Sequence, residues 1–284
     1  MEDHDPSEDR AGSDRPGTKV FVEGRYRKLS RDLPQTVFFC PDCKGHLRRR
    51  KKCARCEGFG KLTRDSVQEL IGWVAGKAFG TRKHRFHGAG REDVDVRMLG
   101  SGRPFVLELV EPRVFEVDLA ALEAEINKRN EERLIVRNLH WTEKARIAIL
   151  KETPHAKEYE ALVELGGEVA SGNIAALTGK RFEVTQHTPD RVAHRRADRD
   201  RMRWIEFRSL EPAGPALLRV RISTQHGTYV KEVLSGEGGR TEPSLAGLLG
   251  VPCQCRELDV LAILDAEGHE EPVYSAPPVF GSGL

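Results

Sequence analysis

The stretch that decides the fold reads Gly90-Arg91-Glu92-Asp93-Val94-Asp95-Val96-Arg97-Met98-Leu99-Gly100. From 93 to 99 apolar residues alternate with charged ones, and this period of two predicts a half-buried strand. Residues 101–104 have the composition of a turn and 105–110 return to an apolar pattern, so the two segments are expected to form a hairpin. Asp93 follows a glycine-rich loop at the start of the strand, where a carboxylate is exposed enough to meet a substrate.

Three interpretations of the acids in this stretch are open. Arg91 and Arg97 would keep a nearby carboxylate ionised, which suits Asp93 as a nucleophile. A Mg²⁺ site made by Glu92, Asp93 and Asp95 is the second interpretation, although a period of two places Glu92 on the opposite face. A structural cluster of ion pairs is the third.

Strands and helices are mixed on both sides of this stretch. Ser66 and Glu69 form a capping box that opens a helix to about Phe79, and Asp118 is placed to cap a helix through about Arg129. Further helices are predicted at 141–151, 156–165 and 244–249, and strands at 19–22, 134–136, 181–185, 203–208, 216–223 and 256–264. This irregular order predicts an α+β fold with a mixed, mostly antiparallel sheet flanked by helices.

Composition restricts the class of protein further. The 284 residues include 46 Lys and Arg against 44 Asp and Glu, a net charge of only +2. No run of 18 apolar residues is present, so we expect no membrane-spanning helix. The acidic N-terminal segment resembles neither a signal peptide nor a transit peptide, and a cytoplasmic protein is expected. We expect a disordered acidic arm at 1–17, one main domain at 18–270 and a tail at 271–284.

Four of the six cysteines form two pairs with the spacing of metal ligands. Cys40 and Cys43 make one C-x2-C pair, and Cys53 and Cys56 make the second. Two such knuckles can converge on a tetrahedral Zn²⁺ ion, and four thiolates leave no open position for catalysis. We therefore predict a small zinc-knuckle insertion at 38–61 with a structural zinc ion.

The near-zero net charge conceals separate basic blocks. One lies between the cysteine pairs at 44–55, which contains no acid, and others lie at 81–91 and 191–203. Arginine is abundant in these blocks, and its planar guanidinium suits bidentate phosphate contacts. Such segregation of charge favours a polyanionic ligand.

Five ordered motifs resemble those of the archaeal and eukaryotic-type tRNA pseudouridine synthases that modify positions 54 and 55. The first is 24–31 with 33–36, and the second is 90–97 followed by 102–105. The third is 186–192 with 194–198, the fourth is 227–232, and the fifth is 239–241 with 243–244. The resemblance runs from about Val20 to Leu264, and the cysteine knuckles also resemble those of archaeal members.

The resemblance implies the pseudouridine synthase fold, a catalytic domain at 18–270, tRNA as substrate and no cofactor for catalysis. It implies that Asp93 is the catalytic aspartate, which starts the reaction at the ribose by attack or by proton abstraction. Tyr229 matches the tyrosine that packs against the target base, Arg240 is the expected basic partner of the aspartate, and Leu258 is a candidate apolar wall. The remaining expected substrate-binding residues are Arg91, Arg97, Arg103, Lys231, Arg195 and Arg196.

The family usually carries an RNA-binding domain of the THUMP type before the catalytic domain, and only about 20 residues precede the resemblance here. A short form lacking that domain is expected, in which the knuckles and basic segments, or a partner protein, hold the tRNA. Two alternatives accompany this prediction. One is a non-catalytic zinc-ribbon RNA-binding protein, and the other is a metal-dependent nuclease that uses Glu92, Asp93 and Asp95.

Overall fold

A computed structural model describes residues 17–193 and 197–264. Their strands are β1 (Lys19–Lys28), β2 (Lys83–Gly88), β3 (Arg97–Val110), β4 (Leu134–Thr142), β5 (Ala156–Leu165), β6 (Arg181–Gln186), β7 (Arg201–Gly214), β8 (Leu217–Thr224), β9 (Thr241–Glu242) and β10 (Cys253–Leu264). Their helices are α1 (Leu47–Arg50), α2 (Val67–Ala78), α3 (Leu119–Arg129), α4 (Ala145–Glu152), α5 (Ser171–Ala175), α6 (Asp190–Ala193), α7 (Val230–Ser235) and α8 (Leu245–Leu249), with a 3₁₀ turn at Gly236–Gly239. The predicted tail and all of the predicted arm except Gly17 lie outside the described residues.

The described strands form one sheet in the order β4-β1-β3-β10-β5-β8-β7-β6-β9, with β2 beside the second half of β3. Neighbouring strands are antiparallel except β3 and β10, which run parallel at Arg97 and Met98. Helices α2 and α3 pack together and close the core at the β1–β3–β4 end, whereas α7 packs on β10. The predicted α+β class, with a mixed and mostly antiparallel sheet flanked by helices, is confirmed.

The predicted hairpin around 101–104 is wrong, because β3 runs without a break from Arg97 to Val110. Residues 93–96 precede the strand as a loop. Gly100 (φ +56°) and Gly102 (φ +83°) let the strand bend without reversing. A Cβ at Gly100 would lie 1.8 Å from the carbonyl oxygen of Leu261, so only glycine allows this approach to β10.

The predicted helix at 156–165 is also wrong, because the segment is the strand β5. It pairs with β10 on one side and with β8 on the other, and these partners lie 53 or more residues away along the chain. A strand inside a sheet satisfies its backbone groups on both edges, which outweighs a local preference for helix. The helix predicted at 141–151 is shorter than expected, since β4 continues to Thr142 and α4 begins at Ala145.

Both predicted helix caps are confirmed. The hydroxyl of Ser66 accepts a hydrogen bond from the backbone N–H of Glu69 at 3.2 Å and donates to its carboxylate at 2.8 Å. The carboxylate of Asp118 accepts from the first backbone N–H groups of α3. In the part of the chain that the structure describes, no helix has the length and apolarity needed to cross a membrane.

Candidate active site

A buried lysine holds the loop that carries Asp93 from the interior of the protein. The side chain of Lys28 is fully buried and donates to the carbonyl oxygens of Asp93 at 3.0 Å, Val94 at 2.8 Å and Leu33 at 2.8 Å. Burial lowers the pKa of Lys28 to about 8, against the opposing effect of nearby carboxylates such as Glu92. The backbone at Asp93 is therefore positioned by a cation that has no contact with solvent.

A buried ion pair holds the preceding residues of the same loop. The Glu92 carboxylate lies 2.8 Å from Nε of Arg103 and accepts a hydrogen bond from the Tyr26 hydroxyl at 2.7 Å. Arg103 also donates to the carbonyl of Ala89 at 2.6 Å, and Gln35 donates to the Tyr26 hydroxyl at 2.9 Å. Burial and the Glu92 charge raise the pKa of Tyr26, so this hydroxyl remains a donor.

The basic partner of the Asp93 carboxylate is Arg191. Its Nη1 lies 2.8 Å from Oδ2 of Asp93, while its Nε lies 2.6 Å from the buried carboxylate of Glu232. Nζ of Lys231 is 3.8 Å from the same Asp93 oxygen. Burial opposes the charge of Arg191, but the two carboxylates outweigh it and raise its pKa.

The assignment of Arg240 as the partner of the aspartate is therefore corrected. Its guanidinium donates to the carbonyl of Thr188 at 2.5 Å and lies 3.2 Å from the carboxylate of Asp190. Through these contacts Arg240 supports the segment that leads into α6. That segment includes Asp190, the residue before Arg191. The order of the motifs along the chain does not reveal which arginine reaches the aspartate, because the contact joins residues 98 positions apart.

The other predicted substrate-binding residues differ in their availability. Arg91 is exposed and lines the cavity described next. Arg97 makes a bidentate ion pair with Asp259, at 2.9 and 2.6 Å, and Lys231 bonds Asp95 at 2.8 Å. Arg103 is only 1% exposed and pairs with Glu92, so it supports the loop, while its contact with substrate remains a prediction. Arg195 and Arg196 lie outside the described residues.

A cavity of about 510 Å³ opens beside Asp93. Its apolar and aromatic wall is formed by Tyr159, Tyr229, Leu258 and Val260, so the predicted wall at Leu258 is present. Its cationic side chains are Arg91, Lys157, Arg191, Arg199, Arg201 and Arg203, together with Arg103 and Lys231. A carboxylate beside aromatic rings and surrounded by cations suits an anionic substrate with a flat ring.

The two tyrosines differ in their surroundings. The Tyr229 ring lies near two guanidinium groups, with the central carbons of Arg191 and Arg201 each 5.9 Å from its centroid. Tyr159 is on β5, and burial raises its pKa to about 12. On the same face of β5, burial and then the nearby Arg103 charge lower the pKa of Lys157 to about 8.

Sequence reasoning missed Lys157, Tyr159 and Arg191. The first two were assigned to a helix, whose period of 3.6 separates them. The signal that could have found them is alternation, because Ala161 and Val163 continue the same face of β5 into the core. Arg191 lay within a basic segment that was noted as a whole, without a reason to single it out.

The metal interpretation of the three acids is not supported by their positions. Glu92 is buried on Arg103, Asp93 faces Arg191 and Asp95 faces Lys231. Over the described ranges, the four cysteines are the only group of three or more potential metal ligands that converge. The acids are therefore neutralised by separate cations and do not share an ion.

The four predicted zinc ligands converge. Their sulfurs all lie within 4.8 Å of one another, with 3.7 Å between Cys40 and Cys53 and 3.6 Å between Cys43 and Cys56. A tetrahedral Zn²⁺ with Zn–S bonds of about 2.3 Å places its sulfurs roughly 3.8 Å apart. The backbone N–H of Gly60 also donates to the Cys56 sulfur at 3.2 Å, so the set fits a closed tetrahedral metal site.

Comparisons with known proteins agree on one family. The family model described as "Pus10, C-terminal" matches residues 21–264. The tRNA pseudouridine synthase Pus10 of Methanothermobacter marburgensis is 46% identical over 246 residues, which cover 86% of this chain and 60% of that protein. The same enzyme of Methanocaldococcus jannaschii is 42% identical over 249 residues, covering 87% of this chain and 53% of that protein. The chain thus spans a little over half the length of these relatives.

Among solved structures, a chain of a Cbf5-Nop10-Gar1 complex is similar at a TM-score of 0.40 and 18% identity. The similarity covers 84% of this chain and 57% of that one.

Proposed function

The chain belongs to the family of the Pus10 C-terminal region, and we propose that it is an isomerase that converts uridine to pseudouridine at position 54, position 55 or both in the T arm of tRNA. The catalytic domain covers 18–270 and includes the knuckle insertion at 38–61. The relatives carry the name tRNA pseudouridine synthase, and the site geometry supports the same activity for this chain.

The observation that carries the proposal is the position of Asp93 in the cavity. Lys28 holds its backbone from inside the protein, and Arg191 holds its carboxylate from the cavity side at 2.8 Å. The carboxylate is still about one-third exposed, so a substrate can reach it. An ionised carboxylate with a fixed position is what an attack or a proton abstraction at the ribose requires.

The reaction is balanced without any other reactant. The bond between N1 of uracil and C1′ of the ribose breaks, and a bond between C5 and C1′ forms. C5 loses its proton and N1 gains one, so nothing is oxidised or reduced and no cofactor takes part. Asp93 starts this sequence at the ribose, and both routes from the carboxylate depend on the same side chain.

The aromatic wall of the cavity gives the reacting base a surface to stack on once it has left its stack in the RNA. A base must leave its stack in the RNA before it can react, which costs a few kcal/mol. Stacking on Tyr229 or Tyr159 recovers about 1–3 kcal/mol of that cost. Four cationic side chains of the cavity are placed to contact phosphates, namely Arg91, Arg199, Arg201 and Arg203. The predicted contacts of Arg195 and Arg196 belong to the same proposal.

We also propose that the four cysteines hold a structural zinc ion. The sulfur separations fit the tetrahedral geometry, and four thiolates complete the coordination, so the ion stabilises the insertion and takes no part in the reaction. A set of reduced thiolates fits a cytoplasmic location, where cysteines are kept reduced.

The experiment is to map pseudouridine in an unmodified tRNA transcript after incubation with the purified full chain and no added cofactor. We expect new pseudouridine at position 54, at 55 or at both, and none with Asp93→Asn, which should still bind the tRNA. Asp32→Asn is the matched control, because this aspartate is three-quarters exposed and lies outside the cavity. Activity that survives in Asp93→Asn would disprove the role of this residue.

Two other results would point to the alternative functions. A transcript that binds and stays unmodified would favour a non-catalytic RNA-binding protein or a missing partner. Cleaved transcript that depends on Mg²⁺ would favour a nuclease. Turnover in EDTA, with the zinc retained, is expected for the isomerase.

A further inference from the structure

A second concave surface lies where helix α2 meets the start of strand β2. This cleft, called here the α2–β2 cleft, has a volume of about 980 Å³. Its lining residues are Gly72, Trp73, Gly76, Lys77, Gly80, Thr81, Arg82, Lys83, His84, Glu111 and Arg113.

Two glycines of α2 allow the close approach that shapes this cleft. A Cβ at Gly72 would lie 2.2 Å from Nε2 of His84, and a Cβ at Gly76 would lie 2.6 Å from the carbonyl oxygen of Thr81. A larger residue at Gly72 would displace the His84 ring, and one at Gly76 would displace the backbone at Thr81, just before β2. The cleft is therefore a fixed feature of the packing between helix and strand.

The α2–β2 cleft has an excess of positive charge. Four exposed cations line it, namely Lys77, Arg82, Lys83 and Arg113, against the single acid Glu111. Glu111 is paired with Lys83. Within the ranges that the structure describes, the other three cations have no ion-pair partner, so their charge is available to an anionic ligand.

The cleft also exposes a large aromatic ring. Trp73 is 55% exposed, although most of α2 faces the core. The ring lies 6.0 Å from Nζ of Lys61, which is also 5.3 Å from the ring of Phe59, itself half exposed. Exposed rings beside cations thus continue from the cysteine insertion to the cleft.

We infer that the α2–β2 cleft binds unpaired nucleotides of RNA, with a base stacked on Trp73 and phosphates held by Lys77, Arg82 and Arg113. The choice of RNA rests on the proposed function, but the site is separate from the Asp93 cavity. An exposed ring beside cations is the arrangement that binds single strands, because their bases have free faces for stacking. Bases inside a duplex are stacked on one another and offer no such face.

The cleft and the loop that carries Asp93 adjoin opposite ends of strand β2, which suits two sites for one RNA molecule. Strand β2 starts at Lys83 in the cleft and ends at Gly88, next to the loop that carries Asp93. Five residue steps of about 3.4 Å give roughly 17 Å. Strand β2 alone is thus about as long as five steps of a stacked strand, so a nucleotide bound at its Lys83 end is not the one that reacts at Asp93.

The first test measures binding of a labelled ten-nucleotide single-stranded RNA without a T-arm sequence, by fluorescence anisotropy with the full chain. Trp73→Ala should weaken binding by roughly 5- to 150-fold, which is the range for losing one stacked base. Trp73→Phe should recover most of the affinity. Ile149→Ala, which removes an exposed apolar side chain from α4, should change nothing.

The second test measures how binding depends on salt. Removing one phosphate contact with Arg113→Gln should make the log–log salt slope shallower by about 0.7. Lys180→Gln is the matched control, because Lys180 is exposed and lies outside the cleft. Circular dichroism of each variant checks that the fold is retained.

The possible outcomes separate this inference from the proposed function. Trp73-dependent binding that persists in Asp93→Asn supports the cleft even if no pseudouridine is formed. Equal affinity of Trp73→Ala and the parent chain would overturn the inference, even if the isomerase activity is found. It would also be overturned if the parent binds no single strand at low salt, or if a hairpin duplex or polyglutamate competes as well as the single strand.

Discussion

Replacement of Lys28 by methionine tests whether a buried cation positions the loop that carries Asp93. The side chain is fully buried, and its ammonium group donates to the carbonyls of Leu33, Asp93 and Val94 at 2.8–3.0 Å. Methionine has nearly the same length and fills the same space, but it cannot donate. The change therefore removes three hydrogen bonds and leaves the packing largely intact.

The expected loss of stability is the difference between two opposing effects. Three carbonyls without a donor cost about 2 kcal/mol each, or about 6 kcal/mol in total. Removing the buried charge returns part of this cost, because the pKa of Lys28 falls from 10.5 to about 8, a difference worth about 3 kcal/mol. We expect Lys28→Met to lower the free energy of unfolding by about 3 kcal/mol.

The sign of the pH dependence follows from the same pKa. Above pH 8 the folded protein releases the proton of Lys28, while the unfolded chain holds it up to about 10.5. The unfolded state then binds more protons, so this lysine makes the free energy of unfolding increase between pH 8 and 10.5. Lys28→Met should lose that increase.

The assays are urea unfolding at pH 7 and at pH 9.5, and single-turnover formation of pseudouridine. Freed carbonyls should let the Asp93 backbone shift, and a displacement of about 1 Å can reduce the rate about 100-fold. Exposed Lys180→Met is the control and should stay within about 0.5 kcal/mol of the parent. A Lys28→Met protein with parental stability and turnover would refute this account of the loop.

Two further predictions concern the cavity and the cysteine insertion. Arg191→Met leaves the buried Glu232 carboxylate unpaired and should lower the free energy of unfolding by about 2 kcal/mol, below the usual 3–5 because Arg191 is itself one-third exposed. The single-turnover rate should fall in Arg191→Met and be retained in part in Arg191→Lys. A parental rate in Arg191→Met would contradict the contact with Asp93. Cys53→Ser, or removal of zinc by a strong chelator, should expose the insertion at 38–61 to protease while the sheet stays protected. Total metal analysis should give one zinc per parent chain. An unchanged digestion pattern would contradict a structural zinc.

Local signals predicted the parts of the fold whose partners lie close in sequence. The Ser66 hydroxyl meets the backbone of Glu69 three residues later, and the Asp118 carboxylate meets the start of its own helix. Such contacts need no knowledge of the rest of the chain. The convergence of the cysteines was predictable for the same reason, because only two residues separate the two cysteines of each pair.

The site was predicted in part. Asp93 and Tyr229, which belong to the quoted motifs, and Leu258, a separate candidate, all line the cavity, and their roles remain predictions. The position of Asp93 in a loop before β3, rather than in a strand, could not be read from alternation, since Lys28 holds that loop from a distant part of the sequence. The contact between Arg191 and Asp93 could not be predicted for the same reason. It depends on how strands β6 and β7 bring the residues near 190 back to the loop that carries Asp93.

The sequence by itself determined the helix caps, the cysteine knuckles, the segregation of charge and the motifs that mark the family. Only the tertiary structure decided that 156–165 is a strand, that 97–110 is a single strand and that Arg191, not Arg240, reaches Asp93. Caps and knuckles depend on atoms a few residues apart. The pairing of β5 and the arginine contact depend on residues brought together from 53 to 108 positions away, where packing of the whole sheet outweighs local preference.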